Sequence, residues 1–309
     1  MDKNIEILPI SIFAPIIEIE DSFLTQKGVR LFLKREDLIH EHISGNKWRK
    51  LKYNLQKAKE ENHSRILTFG GAFSNHIAAT AYAAKVAHIE SIGIIRGEEN
   101  AIDNPTLQFA REQGMKLHFI SRSLYREKNN ASYQEALKKD FGPFFLVPEG
   151  GANAYGMMGC CEIMNGYNES EFDIICCACG TGTTLSGIIH ANTSESTHII
   201  GFPVLLDEQS IQENIIQLNN NQIKSKWSLQ ANYTFGGYAK TNSTLINFIQ
   251  SFTTKTGIPL DYIYTGKMLY GIYDMIEKEE IKRGTKVLAI HTGGLQGNLG
   301  FTYLKQKKE

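Results

Sequence analysis

The stretch DIICCACGTGTTLSGI (173–188) decides the fold. Its first part, through Cys179, is a continuous apolar run, which is typical of a strand buried on both faces of a parallel sheet. Gly180 and Gly182 follow the run, and a helix is expected to begin directly after them. The stretch therefore predicts a strand, a glycine-rich loop and a helix, which together form the unit that α/β proteins repeat.

The loop in this stretch has the chemistry of a phosphate site. Glycines leave backbone N–H groups free, and the hydroxyls of Thr181, Thr183 and Thr184 add donors at a helix start. No lysine follows in the P-loop position. Position 185, where a dinucleotide fingerprint has a small residue, is a leucine. A single phosphate monoester is thus favoured, and a dinucleotide-dependent oxidoreductase stays as a remote alternative.

All five cysteines lie between residues 160 and 179. Cys176 and Cys179 have the spacing of a metal or redox pair, but no second pair and no paired histidines complete a zinc set. An odd, clustered count is also unlike a disulfide framework. We therefore predict no metal site, and we interpret Cys176, Cys177 and Cys179 as small hydrophobic residues of a buried strand.

The same unit recurs outward along the chain, which predicts an α/β fold with mostly parallel strands. Helical patterns cover residues 47–62 and 74–88. Ligands of such folds bind at the carboxyl ends of the strands. Strands are predicted at 30–36, 64–71, 91–97, 116–122, 144–151, 173–180, 197–204 and 286–294.

Two further strand ends carry polar turns. In TFGGAFSNHIAATA (68–81), Ser74, Asn75 and His76 fall at a helix start, where a dipole and free N–H groups favour an anion. An ordinary capped helix is the alternative, whereas a Ser74–His76 nucleophile pair is disfavoured because the two side chains diverge. In AIHTGG (289–294), Thr292 and two glycines offer a hydroxyl and exposed backbone to a ligand.

Lys47 follows Ser-Gly-Asn at the start of a predicted helix. A cation at this end is electrostatically unfavourable, and Arg49 and Lys50 add like charge, so the pKa of Lys47 should be lowered. A neutral amine is what Schiff-base chemistry requires. Lys47 is therefore a candidate for covalent attachment of a carbonyl compound, although a solvated lysine is the simpler interpretation.

Composition excludes several classes of partner. The chain has 309 residues, 33 basic and 33 acidic, and a net charge of zero, so binding to nucleic acid or to an anionic membrane is not expected. No apolar stretch is long enough to span a bilayer. The first residues lack a basic segment followed by an apolar one, which predicts no signal peptide and a cytoplasmic protein.

The motifs SGNKWRK, GGAFSNH, PEGGAN, GTGTT, YTGK and HTGG, taken in this order, resemble the pyridoxal-phosphate enzymes of fold type II. More narrowly, they resemble the family of D-cysteine desulfhydrase and 1-aminocyclopropane-1-carboxylate (ACC) deaminase. The resemblance implies two open, mostly parallel twisted sheets flanked by helices, as in the tryptophan synthase β subunit. It also implies a large domain of residues 1–50 and 160–309, a small mobile domain of residues 51–159, and a homodimer.

The resemblance also implies the cofactor, pyridoxal 5′-phosphate, and its contacts. Lys47 carries the cofactor and Lys50 approaches its phosphate, which Gly180 to Thr184 hold. Asn75 bonds the cofactor's 3′ oxygen. Thr265 and Thr292 occupy the two remaining cofactor positions.

A small amino acid is the implied substrate. Ser74, Asn75 and His76 line its carboxylate site, and Tyr238 and Tyr264 match the two active-site tyrosines. Lys47, Ser74 and the two tyrosines are thus the predicted catalytic residues, with Lys47 as the base that takes the α-proton.

Two positions bear on the reaction. ACC deaminases carry a glutamate where this chain has Thr265, and a leucine where it has Thr292. A carboxylate keeps the cofactor's ring nitrogen protonated, and a hydroxyl does so poorly. We therefore predict β-elimination of the D-cysteine desulfhydrase type, giving pyruvate, ammonia and sulfide. ACC ring opening to 2-oxobutyrate and ammonia, and a catalytically silent binding protein, are the alternatives. Trp48, where the family usually has threonine, is predicted to reshape the pocket.

Overall fold

The computed structural model describes residues 14–97, 104–205 and 207–306. Within these ranges the chain forms two open sheets, one of six strands and one of four. The smaller sheet is built from one continuous part of the chain, whereas the larger sheet takes strands from before and after it. The two sheets are therefore interleaved in sequence.

The larger sheet has the order β1-β2-β10-β7-β8-β9, and only β1 runs antiparallel to its neighbour. Its strands are β1 (Ile16–Glu18), β2 (Arg30–Lys34), β7 (Ile174–Cys179), β8 (His198–Pro203), β9 (Lys226–Leu229) and β10 (Lys286–Ile290). The smaller sheet is fully parallel and has the order β5-β4-β3-β6. Its strands are β3 (Arg65–Gly71), β4 (Glu90–Arg96), β5 (Lys116–Ile120) and β6 (Phe145–Val147).

Helices connect most of the parallel strands. They are α1 (Ser22–Lys27), α2 (Asn46–Glu60), α3 (Asn75–Val86), α4 (Pro105–Glu112), α5 (Arg122–Tyr125), α6 (Ala131–Phe141), α7 (Ala154–Cys161), α8 (Thr183–Ala191), α9 (Glu208–Leu218), α10 (Ser243–Thr256), α11 (Thr265–Glu277) and α12 (Gly297–Gln306). None of the described helices is long and apolar enough to cross a membrane.

The position of β7 between two layers of helices explains why its sequence is apolar throughout. Cys176 and Ala178 face the core under α10 and α11, while Ile175, Cys177 and Cys179 face the core under α8 and α9. Alternate side chains of a strand point to opposite faces, so a strand covered on both sides needs no polar position. The three cysteines of β7 serve as small apolar residues. All five cysteines of the chain are free.

The smaller sheet is also covered on both faces. On one face, Ile66 and Val147 pack with alanines of α3 and with leucines of α2. On the other, Leu67 and Phe69 pack with residues of α5 and α6. Helix α2 thus places its first turn at the cavity described below and packs the rest of its length beneath the smaller sheet.

The structure confirms the predicted α/β class, the two mostly parallel sheets, all eight predicted strands and both predicted helices. Two further strands, β1 and β9, were not predicted from the sequence; they are edge strands of three and four residues. Strand β6 is shorter than predicted because Pro148 and a single helical turn follow it. The predicted domain boundaries fall within α2 and α7, and the division into a large and a small mobile domain stays a prediction.

Candidate active site

A cavity of about 480 Å³ opens where the loops after β3 and β7 meet the start of α2. Most of the predicted site residues line this cavity, although they are widely separated in sequence. They are Lys47, Lys50, Ser74, Asn75, His76, Gly180, Thr181, Gly182, Thr184, Tyr238 and Tyr264. The carboxyl ends of β3 and β7 therefore meet at one site, as expected for parallel sheets.

The backbone before α2 fixes the position of Lys47. Gly45 has φ of +63°, and a Cβ there would lie 2.0 Å from the carbonyl oxygen of Thr292. That carbonyl also accepts a hydrogen bond from the N–H of Asn46 at 3.3 Å. Only glycine allows this close approach. The HTGG turn after β10 thus holds the first turn of α2, which carries Lys47, against the larger sheet.

The surroundings of the Lys47 amine determine its hydrogen bonding and lower its pKa. Its Nζ donates to Oδ1 of Asn46 at 2.7 Å, and the Asn46 amide donates to Oγ1 of Thr184 at 3.0 Å. Burial lowers the pKa of Lys47 to about 7, and the like charge of Lys50 acts in the same direction. Near neutral pH, Lys47 is therefore present in substantial part as a free amine, the form that attacks a carbonyl carbon.

The loop between β7 and α8 forms a cradle for an anion. Gly182 has φ of +81° at the cap of α8, and the hydroxyls of Thr181 and Thr183 lie 3.0 Å apart. Lys50 reaches the same cavity, and its side chain is buried. Among the described residues, neither Lys47 nor Lys50 forms an ion pair with a carboxylate. A buried ammonium needs a counter-ion, so these residues fit a group that carries both a phosphate and an aldehyde.

The amino end of α3 forms the opposite wall. Ser74 caps the helix by accepting from the N–H of Ile77 at 3.4 Å, and the Asn75 amide donates to the Gly294 carbonyl at 3.2 Å. The Oδ1 atom of Asn75 is buried and has no hydrogen-bond partner among the residues that the structure describes. An orphaned polar atom beside a cavity fits a ligand group that would satisfy it.

His76 lies on this wall as a neutral ring. Its Nε2 is 2.8 Å from Oγ1 of Thr68, and its Nδ1 has no partner in the described structure. Burial lowers the pKa of His76 to about 3, helped by the charges of Lys47 and Lys50. His76 can therefore offer a hydrogen bond to a substrate carboxylate, whereas the favourable charge comes from the helix dipole.

The two predicted tyrosines stand together above the cradle. The rings of Tyr238 and Tyr264 are 6.3 Å apart at an interplanar angle of 70°, and the Lys47 Nζ lies 5.9 Å from the centroid of the Tyr264 ring. The Tyr264 ring also covers Gly180, where a Cβ would lie 3.3 Å from it. Burial raises the pKa of both hydroxyls, so both retain their protons.

Three predicted site residues do not line the cavity. Thr183 is fully buried beneath the cradle, and Thr292 contributes its carbonyl to the start of α2. The hydroxyl of Thr265 donates to Oδ2 of Asp261 at 2.6 Å. Trp48, predicted to reshape the pocket, packs instead with Ile43 and Leu51 in the core under the smaller sheet.

The sequence analysis missed several residues that build or line the site. Asn46, Arg96 and Glu149 line the cavity. Asp261 accepts hydrogen bonds at the start of α11, and Lys267 binds the segment that carries Tyr238. Asp261 could have been found as a capping residue, since an aspartate shortly before a helical pattern is a start signal. Lys267 carried no local signal beyond its place in the YTGK motif.

Comparison with known proteins identifies the family. The sequence model of the family described as pyridoxal-phosphate dependent enzyme matches residues 12–293. The chain belongs to this family. Its cofactor is pyridoxal phosphate, and the cavity fits that group with its glycine cradle and its two lysines, neither of which has an ion-pair partner among the described residues. The alternative of a dinucleotide-dependent oxidoreductase is therefore not supported.

Relatives within this pyridoxal-phosphate family carry two activities in their names. A putative ACC deaminase of Pyrococcus horikoshii is 30% identical over 285 residues, covering 89% of this chain and 87% of the relative. A mitochondrial bifunctional D-cysteine desulfhydrase/ACC deaminase of Arabidopsis thaliana is 30% identical over 294 residues, covering 87% of this chain and 73% of the relative. The crystal structure of an ACC deaminase homologue, 28% identical, superposes with a TM-score of 0.79 and covers 94% of this chain and 93% of that chain.

Proposed function

We propose that this pyridoxal-phosphate enzyme is a carbon–sulfur lyase that acts on D-cysteine and releases pyruvate, ammonia and sulfide. The observation that carries the proposal is the environment of Thr265. At the position where the resemblance places a glutamate in ACC deaminases, this chain has a hydroxyl already bound to Asp261. No carboxylate of position 265 is thus available to keep the cofactor's ring nitrogen protonated.

Asp261 does not supply the missing carboxylate. One oxygen accepts from the N–H groups of Ile263 and Tyr264 at 2.9 and 2.6 Å. The other accepts from the N–H and hydroxyl of Thr265 at 2.8 and 2.6 Å. Since an ionised carboxylate has about four acceptor positions, all of them are used inside the chain. A weakly activated ring suits a reaction in which a good leaving group departs at once, and thiolate is such a group.

The residues of the cavity can perform this reaction. Bound pyridoxal phosphate delocalises the electron pair left on the substrate's α-carbon. Ser74, Asn75 and the amino end of α3 orient the substrate carboxylate, and Lys47 Nζ takes the α-proton. The C–S bond then breaks, and sulfur leaves with the bonding pair. Tyr238 or Tyr264 holds the departing sulfur or gives it a proton, and water finally converts the unsaturated amine to pyruvate and ammonia.

ACC ring opening is the second candidate, because relatives at 30% identity carry that name. It requires the same cofactor, but the α-carbon of ACC bears no hydrogen, so Lys47 cannot begin this reaction by taking an α-proton. No leaving group departs to remove the negative charge that opening of the ring places on the α-carbon. This reaction therefore depends more strongly on a protonated ring nitrogen, which the Thr265 environment does not provide.

A substrate panel tests the proposal. The holoenzyme is given D-cysteine, L-cysteine or ACC, and sulfide, pyruvate and 2-oxobutyrate are quantified, with a Lys47→Ala preparation as the blank. We expect sulfide and pyruvate in equal amounts from D-cysteine, at a rate well above that for the other two. Release of 2-oxobutyrate from ACC at a rate equal to D-cysteine turnover would reverse the assignment. No product from any of them would favour a silent binding protein.

A cytoplasmic location and a homodimeric state remain predictions, the first from the sequence and the second from the resemblance. They are consistent with a small amino acid as the partner.

A further inference from the structure

The segment that carries Tyr238 has an unusual backbone. Residues 234–240, called the Tyr238 loop below, lie in neither helix nor strand. Phe235 and Ala239 have φ of +52° and +55°, and the two glycines between them also have positive φ. Left-handed conformations are unfavourable for non-glycine residues and persist only where the surroundings enforce them. Something outside the loop must therefore hold it.

Two turns follow each other along the Tyr238 loop. The N–H of Gly237 donates to the carbonyl of Thr234 at 3.0 Å, and the N–H of Lys240 donates to the carbonyl of Gly237 at 3.2 Å. Phe235 anchors one side by packing edge-on against Tyr270, with ring centroids 5.1 Å apart. The loop is thereby placed so that Tyr238 lines the cavity beside Tyr264.

Lys267 in the first turns of α11 binds both turns at once. Its Nζ donates to the carbonyl of Thr234 at 2.7 Å and to the carbonyl of Gly237 at 2.8 Å. These are the same two carbonyls that close the turns. Lys267 is 1% exposed, and it forms no ion pair with any carboxylate in the described ranges. Its ammonium group thus binds the backbone of this one loop.

We propose that Lys267 is a positioning residue that clamps the Tyr238 loop and so holds the Tyr238 side chain over the reacting part of the cavity. The proposal rests on the proposed function, in which Tyr238 contacts the substrate. Burial lowers the pKa of Lys267 to about 8, and nearby Asp261 opposes the shift, so the side chain is mostly charged at pH 7. A charged donor to two carbonyls is stronger than a neutral one, which suits a clamp.

Amide hydrogen exchange of the holoenzyme tests the clamp without any substrate. Lys267→Met fills similar volume but donates no hydrogen bond, whereas Lys267→Gln keeps one neutral donor and serves if the methionine variant does not fold. Lys282→Met removes an exposed lysine and is the control. We expect exchange in residues 234–240 to rise by about tenfold or more in Lys267→Met, with little change in β7 and β10. Unchanged exchange in both Lys267 variants, or a rise throughout the larger sheet, overturns the clamp.

Turnover of D-cysteine tests the consequence for Tyr238. Lys267→Met should lower kcat/KM by about 10- to 100-fold, the scale of an ångström-sized misplacement. In a Tyr238→Ala background the same change should cost less than about threefold, because the side chain that the clamp positions is already gone. Equal losses in both backgrounds contradict the proposal. If the wild type turns over no substrate, the proposed function fails, while the exchange result still decides the clamp.

Discussion

The loop after β7 and the Tyr238 loop line the same cavity, but different interactions hold them. Residues 180–184 connect a buried strand directly to α8, so the ends of two regular elements fix their backbone. Residues 234–240 follow a single 3-10 turn (Ala231–Tyr233), and the contacts of Phe235 with Tyr270 and of Lys267 with two carbonyls hold their shape. The first loop is held by local structure, and the second by contacts from distant parts of the chain.

The two kinds of support suit two different tasks, which are binding of the cofactor and selection of the substrate. A site for an unchanging group such as a phosphate can be built into the rigid end of a sheet. In the proposed function Tyr238 meets the variable part of the substrate, and it sits on a loop that the contacts of a few side chains hold in place. Substitutions near the first loop should therefore affect cofactor affinity, while those near the second should affect turnover with the cofactor still bound.

The largest effect is expected at Lys47, which lines the cavity together with residues of both loops. Lys47 follows the Asn46 that binds Thr184, and its Nζ lies 5.9 Å from the centroid of the Tyr264 ring, which packs against Tyr238. Lys47→Ala should abolish the absorption band at roughly 410–420 nm that reports covalent attachment of the cofactor, and turnover should be undetectable. A band that persists in this variant would show that another amine carries the cofactor.

A glycine in the first loop gives the next largest effect. In Gly182→Ala, the new Cβ would lie 3.0 Å from Ile215 and would be strained at a φ of +81°. A strain of about 1–3 kcal/mol corresponds to a loss of about 10- to 100-fold in cofactor affinity, measurable by spectroscopic titration. Gly284→Ala, at a φ of +90° with no atom within 4 Å, is the matched control and should leave affinity unchanged. Equal affinity losses in both variants would mean that general strain, not the cradle, is responsible.

The smallest effect concerns the protonation of Lys47. Because its pKa is lowered to about 7, the neutral fraction should rise from about one tenth at pH 6 to about nine tenths at pH 8. The rate at which the apoenzyme attaches pyridoxal phosphate, followed by absorbance, should therefore rise about tenfold over this range. In Lys50→Met the midpoint should move to higher pH, since a neighbouring positive charge is removed. A rate independent of pH between 6 and 8 would contradict the lowered pKa.

Much of this architecture follows from short stretches of sequence. The run before Gly180 predicted a buried strand, and the structure covers that strand on both faces. The loops with Ser74 and Gly180 were placed at the cavity because strand ends of parallel sheets converge. These features depend on residues close together in the chain, which is why the pattern alone revealed them.

The remainder depends on contacts that no local pattern encodes. Lys267 acts on carbonyls about thirty residues away. The edge strand β9 is short and only partly buried, so its sequence lacks a strand signal. In each case the deciding partner is known only once the chain has folded.

The cysteines of α7 and β7 have a consequence for handling the protein in air. Burial raises the pKa of Cys160 and Cys161 to about 11, and it raises that of Cys176 further. Since the thiolate is the reactive form, these sulfurs are poor targets for peroxide and alkylating agents at neutral pH. Cysteine can thus serve as a packing residue at these positions without becoming a readily oxidised side chain.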